Sequence, residues 1–357
     1  MKYNAQSLQK MLKGPWTILM AVAAAFAVSV LFILALGENP FAVYASILSG
    51  VFGHPYGLME VFAKATPLII IGVGVAVAGK GGMTNLGGDG QFYIGAISSI
   101  VIGIYCFDKM PPVLIWILAV AAAVAGGGIW GGIAGWLRAR FNTSEVIITI
   151  MMNYVALYLV AFLVGGPLQA PGGIPQTYAL DKTLWFSKLF ESGRVHTGIV
   201  VALFIAVIVW LVFKKTALGY KIETFGHSRF AAAYGGIDTK RYMLLTMLIS
   251  GGIAGLAGMV EVFGTYYRVL EGITTDLGFI AMLIALLARY NPIAVIAGSL
   301  FIAVLTVGAN SMQIDMNVPT AIMGIVQSLI IFFVIVMPGI QKKIGRSLVQ
   351  KRQSERG

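Results

Sequence analysis

Hydrophobic runs long enough to cross a bilayer recur along the chain, and the polar intervals between them differ in length. Residues 16–36 are almost wholly apolar. At 1.5 Å per residue that run matches the ~30 Å hydrocarbon core, and it exceeds the roughly 7–15 residues of a signal-peptide core. It predicts a first spanning helix, ended by Glu38-Asn39-Pro40. A weaker apolar segment, 41–52, is expected to lie along the outer surface. Further spans are predicted at 61–78, from about 92 to 107, and at 113–137, 145–165, 198–213, 242–263, 293–310 and 318–337. A short, interrupted segment lies at 273–289. The pattern predicts an all-α polytopic membrane protein with about ten transmembrane segments, two of them broken helices.

The first break is the most unusual stretch. Thr84-Asn85-Leu86-Gly87-Gly88-Asp89-Gly90-Gln91-Phe92-Tyr93-Ile94-Gly95 sets three polar side chains among four glycines, between two apolar runs. Polar groups facing lipid are costly, and glycine weakens a helix by about 1 kcal/mol relative to alanine. A broken helix lining a polar cavity tolerates both, as in a substrate pathway. The competing reading is a cytoplasmic turn with Asp89 paired to Lys80. Thr84-Asn85-Leu86-Gly87 is echoed by Thr275-Asp276-Leu277-Gly278, five spans later. An odd number of spans reverses orientation, so the echo is the mark of a five-helix inverted repeat, with ligand bound where the broken helices meet.

The candidate ligand contacts are therefore Asn85, Asp89 and Gln91 in the first break and Thr275 and Asp276 in the second, with Phe92 and Phe279 placed to stack on a ring. Asn153 and Gln327 are amides inside apolar runs and join that set. Either could instead only link two helices. Asn310, Gln313 and Glu261 sit near outer helix ends, where polar residues are expected. Gly126-Gly127-Gly128, Gly131, Gly132 and Gly135 form a packing face in the fourth span. Ser144 is placed to cap the fifth.

Charge orients the chain. Of its 25 Lys and Arg, 19 fall on one side of this map and 6 on the other. The richer side holds 1–14, the segment 216–240 and the tail 341–357, which the positive-inside rule makes cytoplasmic, with both termini. The transmembrane domain is then 15–340, and the punctuated stretch 166–197 is an external loop. The net charge of +11 reflects this bias and implies contact with membrane lipid, not nucleic acid. A single cysteine, Cys106, excludes an internal disulfide, and the three histidines show no metal-ligand spacing. No phosphate-binding Gly-x-x-x-x-Gly-Lys-Ser/Thr loop is present, so ATP would have to be bound by a partner chain, and the chain itself needs no cofactor.

Within 219–241, Ser228 can cap a short helix ending at Gly235-Gly236. Ala231, Ala232 and Ala233 give it a smooth surface suited to docking in the groove of a cytoplasmic protein, and the segment lacks the hydrophobics of a membrane anchor.

Four blocks carry a family resemblance: Asn85-Leu86-Gly87-Gly88-Asp89-Gly90-Gln91; Ser144-Glu145-Val146-Ile147-Ile148-Thr149-Ile150-Met151-Met152-Asn153-Tyr154; Ala231-Ala232-Ala233-Tyr234-Gly235-Gly236-Ile237; and Gly308-Ala309-Asn310-Ser311-Met312-Gln313. Together they make the chain resemble permease subunits of ATP-binding-cassette importers in the nucleoside, ribose-type sugar and branched-chain amino acid group, most of all the nucleoside permeases. The resemblance implies a non-enzymatic permease in the cell membrane that moves nucleosides inward by alternating access. It implies a second, homologous permease subunit, cytoplasmic ATP-binding subunits and an extracellular substrate-binding lipoprotein. The ATPase-coupling residues would be Glu223, Ser228, Arg229, Ala231, Ala232, Ala233, Tyr234 and Gly235. Asp89 replaces the family's usual Glu, and Arg289-Tyr290-Asn291-Pro292 replaces Gly-Arg-x-Asn-Pro. A ribose-type sugar or other small solute is the alternative cargo. An ion-coupled carrier would need Asp89 as its embedded carboxylate. A membrane enzyme is disfavoured because no His or carboxylate cluster is evident.

Overall fold

The structure is a computed structural model. It describes residues 15–337 except Leu36, Ser192, Thr275, Asn317, Ile331 and Ile335. The regular elements among the described residues are helices, with two isolated antiparallel bridges, Gln176 to Leu270 and Lys188 to His196. The chain divides into two compact units, Met1–Gly57 with Val304–Gly357, and Leu58–Ala303.

The first unit contains α1 (Pro15–Ala35) and α2 (Pro40–Phe52), bent at 113° to each other. Asn39 caps α2 by accepting from the Phe41 N–H at 2.9 Å. Tyr44 ties the two helices together: its hydroxyl lies 2.7 Å from Ser29 Oγ and donates to the Phe26 carbonyl at 3.0 Å. Ser46 donates to Asp315 at 2.8 Å.

In chain order the rest are α3 (Pro55–Lys80), α4 (Gly88–Tyr105), α5 (Pro112–Phe141), α6 (Glu145–Val164), α7 (Gly198–Lys215), α8 (Ala217–His227) and α9 (Arg229–Tyr234). Then come α10 (Thr239–Glu261), prolonged by a π-turn at Val262–Tyr266, α11 (Leu277–Leu287) and α12 (Pro292–Met316). Ala321–Val334 is a shorter apolar helix. Among the described residues six helices, α3, α5, α6, α7, α10 with its π-turn, and α12, are long and apolar enough to cross a membrane, or seven if the bent α1–α2 pair is one span. This is a multi-pass, all-helical membrane protein. The expected eighth segment is a half-helix: α11 has 11 residues, about 16 Å of rise, half a bilayer.

The second unit is built on a seam of small residues. A Cβ on Gly127 of α5 would lie 2.6 Å from Gly255 Cα of α10, and one on Gly131 would lie 2.7 Å from the Met247 carbonyl. Gly95 of α4 meets the backbone of Gly255, and Gly258 meets that of Phe92. Three helix backbones thus approach as closely as glycine permits. Dispersion contacts gain from such proximity, and it is how helices associate where burial from water supplies little drive.

The expected external loop is ordered by its contacts. The Thr177 hydroxyl accepts from the Val269 N–H, and the Thr177 N–H donates to the Val269 carbonyl, both at 3.0 Å. Trp185 stacks on Tyr267 with ring centroids 3.8 Å apart, and Arg194 grips Glu60 with contacts of 2.6 and 3.1 Å. His196, fully buried, accepts from the Gly198 N–H at Nδ1, and burial pushes its pKa down to about 4. Ser144 stands at the N-cap of α6, but its side chain makes no capping bond. Glu145 instead pairs with Arg138 at 3.2 Å.

Two outcomes follow from this packing. Gly127→Leu forces a side chain into the α5–α10 contact and should destabilise by about 1–3 kcal/mol or more, read as a lowered thermal midpoint in detergent. Gly324→Leu, where nothing among the described residues lies within 4 Å, should leave that midpoint unchanged. His196 is held neutral when folded, so its share of stability is intact above pH ~6.5, is lost as pH falls toward about 4, and levels off below. A thermal-midpoint series over pH 4–8 should show that loss, and His196→Gln should flatten it.

Candidate functional site

The chain leaves α3 at Lys80, turns through Gly82 at φ +62°, and begins α4 only at Gly88. A helix that starts inside the protein has first-turn N–H groups without intrahelical acceptors. In a membrane interior they must be satisfied by side chains. Asn153 on α6 does this at both edges of the break: its Oδ1 accepts from the Gly90 N–H at 2.8 Å, and its Nδ2 donates to the Leu86 carbonyl at 2.8 Å. Thr149, one turn earlier, accepts from the Leu86 N–H at 3.3 Å.

Asn85 and Gln91 pair amide to amide. Asn85 Nδ2 donates to Gln91 Oε1 at 2.9 Å, and Gln91 Nε2 donates to Asn85 Oδ1 at 3.0 Å. Asn85 also donates to Ser250 Oγ of α10 at 2.8 Å and accepts from its own Gly87 N–H at 2.9 Å. Both amides are 1% exposed. Their bonding capacity is directed almost entirely at the protein.

The second break meets the first. Asp89 Oδ1, in the first turn of α4, accepts from the Gly278 N–H at the start of α11, at 3.0 Å. The Phe279 N–H and the Thr274 hydroxyl address the same carboxylate, and Asp276 stands near it. The Thr274 N–H reaches the Tyr93 hydroxyl at 3.4 Å. A Cβ on Gly88 would lie 2.8 Å from Gly278 Cα, so the two helices abut N-terminus to N-terminus. A carboxylate between two such ends is well placed to satisfy their N–H dipoles. Asp276 begins α11 from the left-handed region, φ +56°.

Of the residues expected from sequence, Asn85, Asp89, Gln91, Asn153, Asp276 and Phe279 are gathered here. Asp276 is exposed and Phe279 is half-exposed. Phe92 is fully buried, its ring edge-on to Tyr93. Gln327 belongs to the first unit, where it donates to Thr306 at 3.4 Å. Thr275 lies outside the described residues. Sequence reasoning missed Ser250, Thr149, Thr274 and Tyr93. Only Ser250, a polar residue beside Gly251-Gly252 inside an apolar run, carried a visible signal. Lys80 pairs with Glu223 at 2.9 Å, not with Asp89.

That pair brings α8 and α9 to the foot of the break. Gly226 packs on the Lys80 carbonyl, while Met83 clusters with Phe225, Ala232 and Met247. Arg229 lies over the Phe225 ring. Ser228 caps α9, accepting from the Ala231 N–H at 3.2 Å, and Gly235 closes it. Two of the three alanines expected to form the surface of α9, Ala231 and Ala233, are exposed. Ala232 is fully buried, while Phe230 and Tyr234 are 85% and 92% exposed. A six-residue helix places Ala232 inward and these two rings outward.

The family model described as the branched-chain amino acid transport system / permease component matches residues 57–335. The chain belongs to this family. The permease is 34% identical to the guanosine ABC transporter permease protein NupP of Bacillus subtilis over 88% of its own length and 91% of that protein. It is also 34% identical to the nucleoside ABC transporter permease protein NupB of Lactococcus lactis, over 89% and 90%. The glucose ABC transporter permease protein TsgB13 of Haloferax volcanii is 32% identical over 89% of this permease and 86% of that chain. Family membership makes this a transport protein, not an enzyme.

Asn153→Ala would leave the Gly90 N–H and the Leu86 carbonyl unpaired. The expected cost is about 2 kcal/mol, above the ~0.6 average for one membrane interhelical bond. Denaturant unfolding of the purified permease measures it.

Proposed function

We propose that this permease is the transmembrane subunit of an ATP-binding-cassette importer that carries nucleosides into the cell by alternating access. The observation that carries this reading is the match over about nine-tenths of the chain to two permeases named for guanosine and nucleosides. ATP is bound by cytoplasmic partner subunits, a second, homologous permease completes the membrane part, and an extracellular lipoprotein delivers the cargo. In this reading both termini are cytoplasmic, which the Lys and Arg bias supports. α4, α11 and the helices of the first unit bring the count to ten spans, arranged as an inverted repeat about the meeting of α4 and α11.

In this proposal the residues of the break divide their work. Asn85, Gln91 and Asn153 hold α4 at its start. Asp89, Asp276 and Phe279 stand where the two helix ends meet, with Phe279 offering a ring to the base. The ATPases act through α8 and α9. Phe230 and Tyr234 supply the docking rings, and Glu223, Arg229 and Ala232 pass the displacement to Lys80 and Met83 at the foot of the break. Support for this coupling role is the direct packing of α8 and α9 on residues 80–83.

The glucose permease relative favours a sugar as the second reading. An ion-coupled carrier is the third. Its one candidate carboxylate, Asp89, already receives the Gly278 N–H of a neighbouring helix.

Reconstitution separates them. The complete complex with ATP inside proteoliposomes should accumulate guanosine in preference to glucose or ribose, whereas the permease alone under a Na⁺ or H⁺ gradient should accumulate neither. Preferential sugar uptake would overturn the cargo, and gradient-driven uptake by the lone chain would overturn the importer. In the complex, Tyr234→Ala should cut uptake about tenfold with membrane insertion intact, the effect of losing one aromatic anchor.

A further inference from the structure

The amides of the break are satisfied by the protein, which leaves open what else meets the ligand. One helix face stands out. α6 buries Glu145, Thr149, Asn153, Ala156, Val160 and Val164 along one side. The other side exposes Ile147, Met151, Tyr154, Val155, Tyr158, Leu159 and Phe162, at helical spacings. Tyr154 and Tyr158 are 54% and 70% exposed. They are the tenth and fourteenth of the 20 residues of α6, so Tyr154 lies about 15 Å along a rise of about 30 Å, at mid-membrane depth.

Tyrosine in membrane proteins collects at the two interfaces, where its hydroxyl reaches water. The other exposed tyrosines here, Tyr56, Tyr105, Tyr178, Tyr220 and Tyr234, sit at helix ends, in the external loop or in the short helices α8 and α9. Neither Tyr154 nor Tyr158 has a hydrogen-bond partner for its hydroxyl among the described residues. Facing hydrocarbon, two such hydroxyls would be left unpaired, which is costly in a medium without donors or acceptors. The exposed face of α7 is a contrast within the same unit: Val200, Leu203, Phe204, Val207, Ile208 and Leu211 carry no polar atom. That is the composition of a lipid-facing helix. The α6 face is not.

We propose that the Tyr154–Tyr158 face of α6 is a wall of the water-filled conduit, and that the flat base of the transported nucleoside stacks on these two rings. A base offers a π-face to an aromatic ring and a polar edge to a phenol hydroxyl, so rings tipped with hydroxyls suit it better than aliphatic side chains would. The face belongs to the helix that anchors the break: Asn153, next in sequence to Tyr154 but turned to the buried side, is the side chain that holds α4 at its start. The stacking, though not the wall, rests on the nucleoside reading above.

The permease has one native cysteine, Cys106. In a Cys106→Ser background, Tyr154→Cys, Tyr158→Cys and, on α7, Phe204→Cys are each placed in the full complex in nanodiscs and treated with a charged, water-soluble methanethiosulfonate. Thiols at 154 and 158 should react at least about tenfold faster than the thiol at 204, and excess guanosine, not ribose, should slow them, since charged reagents enter aqueous paths and not lipid. Equal rates at all three positions would mean that α6 faces lipid or a dry contact with the second permease, and would overturn the proposal. Fast labelling that ribose slows and guanosine does not would leave the wall standing and overturn the nucleoside reading. Fast labelling that neither solute slows would overturn the stacking. In uptake, Tyr158→Phe should retain transport and Tyr158→Ala should lower it about tenfold, the scale of one lost base–aromatic stack. Equal transport by the two variants would also overturn the stacking.

Discussion

A helix that begins inside a membrane protein must find acceptors for its first N–H groups and donors for the carbonyls just before it, with no water to supply them. Much else in this permease depends on how that constraint is met at Gly88. One side chain, Asn153, spans the break by bonding to the backbone on both sides of it. The Asn85–Gln91 amide pair fixes the strand of chain between, and Ser250 ties it to α10. The outlay in buried polar groups is large, but each of these amides is paired, the condition under which burial is tolerated.

Meeting that constraint determines what can approach the break. The start of α4 can lie against the start of α11 because both contact residues, Gly88 and Gly278, lack a side chain, and because Asp89 accepts from the facing N–H. α4 can lie against α10, and α10 against α5, because Gly95, Gly127, Gly251 and Gly255 bring backbones together. Glycine costs helix propensity at each of these places and returns proximity. The resulting unit is rigid where helices touch through backbone. The connection 81–87, which contains no helical hydrogen-bond ladder, is held between these contacts by side chains.

That connection is also where α8 and α9 touch the core. Glu223 pairs with Lys80, Gly226 lies on the Lys80 carbonyl, and Met83 sits in the cluster holding Ala232. The segment that presents Phe230 and Tyr234 outward is therefore separated from Asn85 by two residues of chain at Met83. A displacement of α9 has a short physical route to the amide pair, made of packed side chains and one ion pair. A coupling function for this segment requires such a route.

Much of this was legible in the sequence. The apolar runs locate the helices, because only a helix satisfies its own backbone in lipid, although α3 begins before and α12 runs beyond the expected ends. The glycines and amides at 85–91 mark a break, since neither belongs in a lipid-facing span. Ser228 and Gly235 mark the ends of α9 because capping is local chemistry. Other features depend on partners distant in sequence. Asn85 and Asn153 looked like ligand contacts, yet they bond to Gln91, Ser250, Leu86 and Gly90, and no local pattern reports a pairing 165 residues apart. Phe92 looked like a stacking ring and is core, because the backbones of α4 and α10 close over it. Ala232 looked like a docking surface and is buried under Met83 and Phe225, leaving Phe230 and Tyr234 outside. The sequence by itself determined which segments are helices, where they break and which family they belong to, since those follow from local composition and order. Tertiary structure alone decided which polar and aromatic groups are spent on holding the break and which remain to meet something else. A side chain's free valence is what its neighbours leave unsatisfied, and neighbours are set by packing.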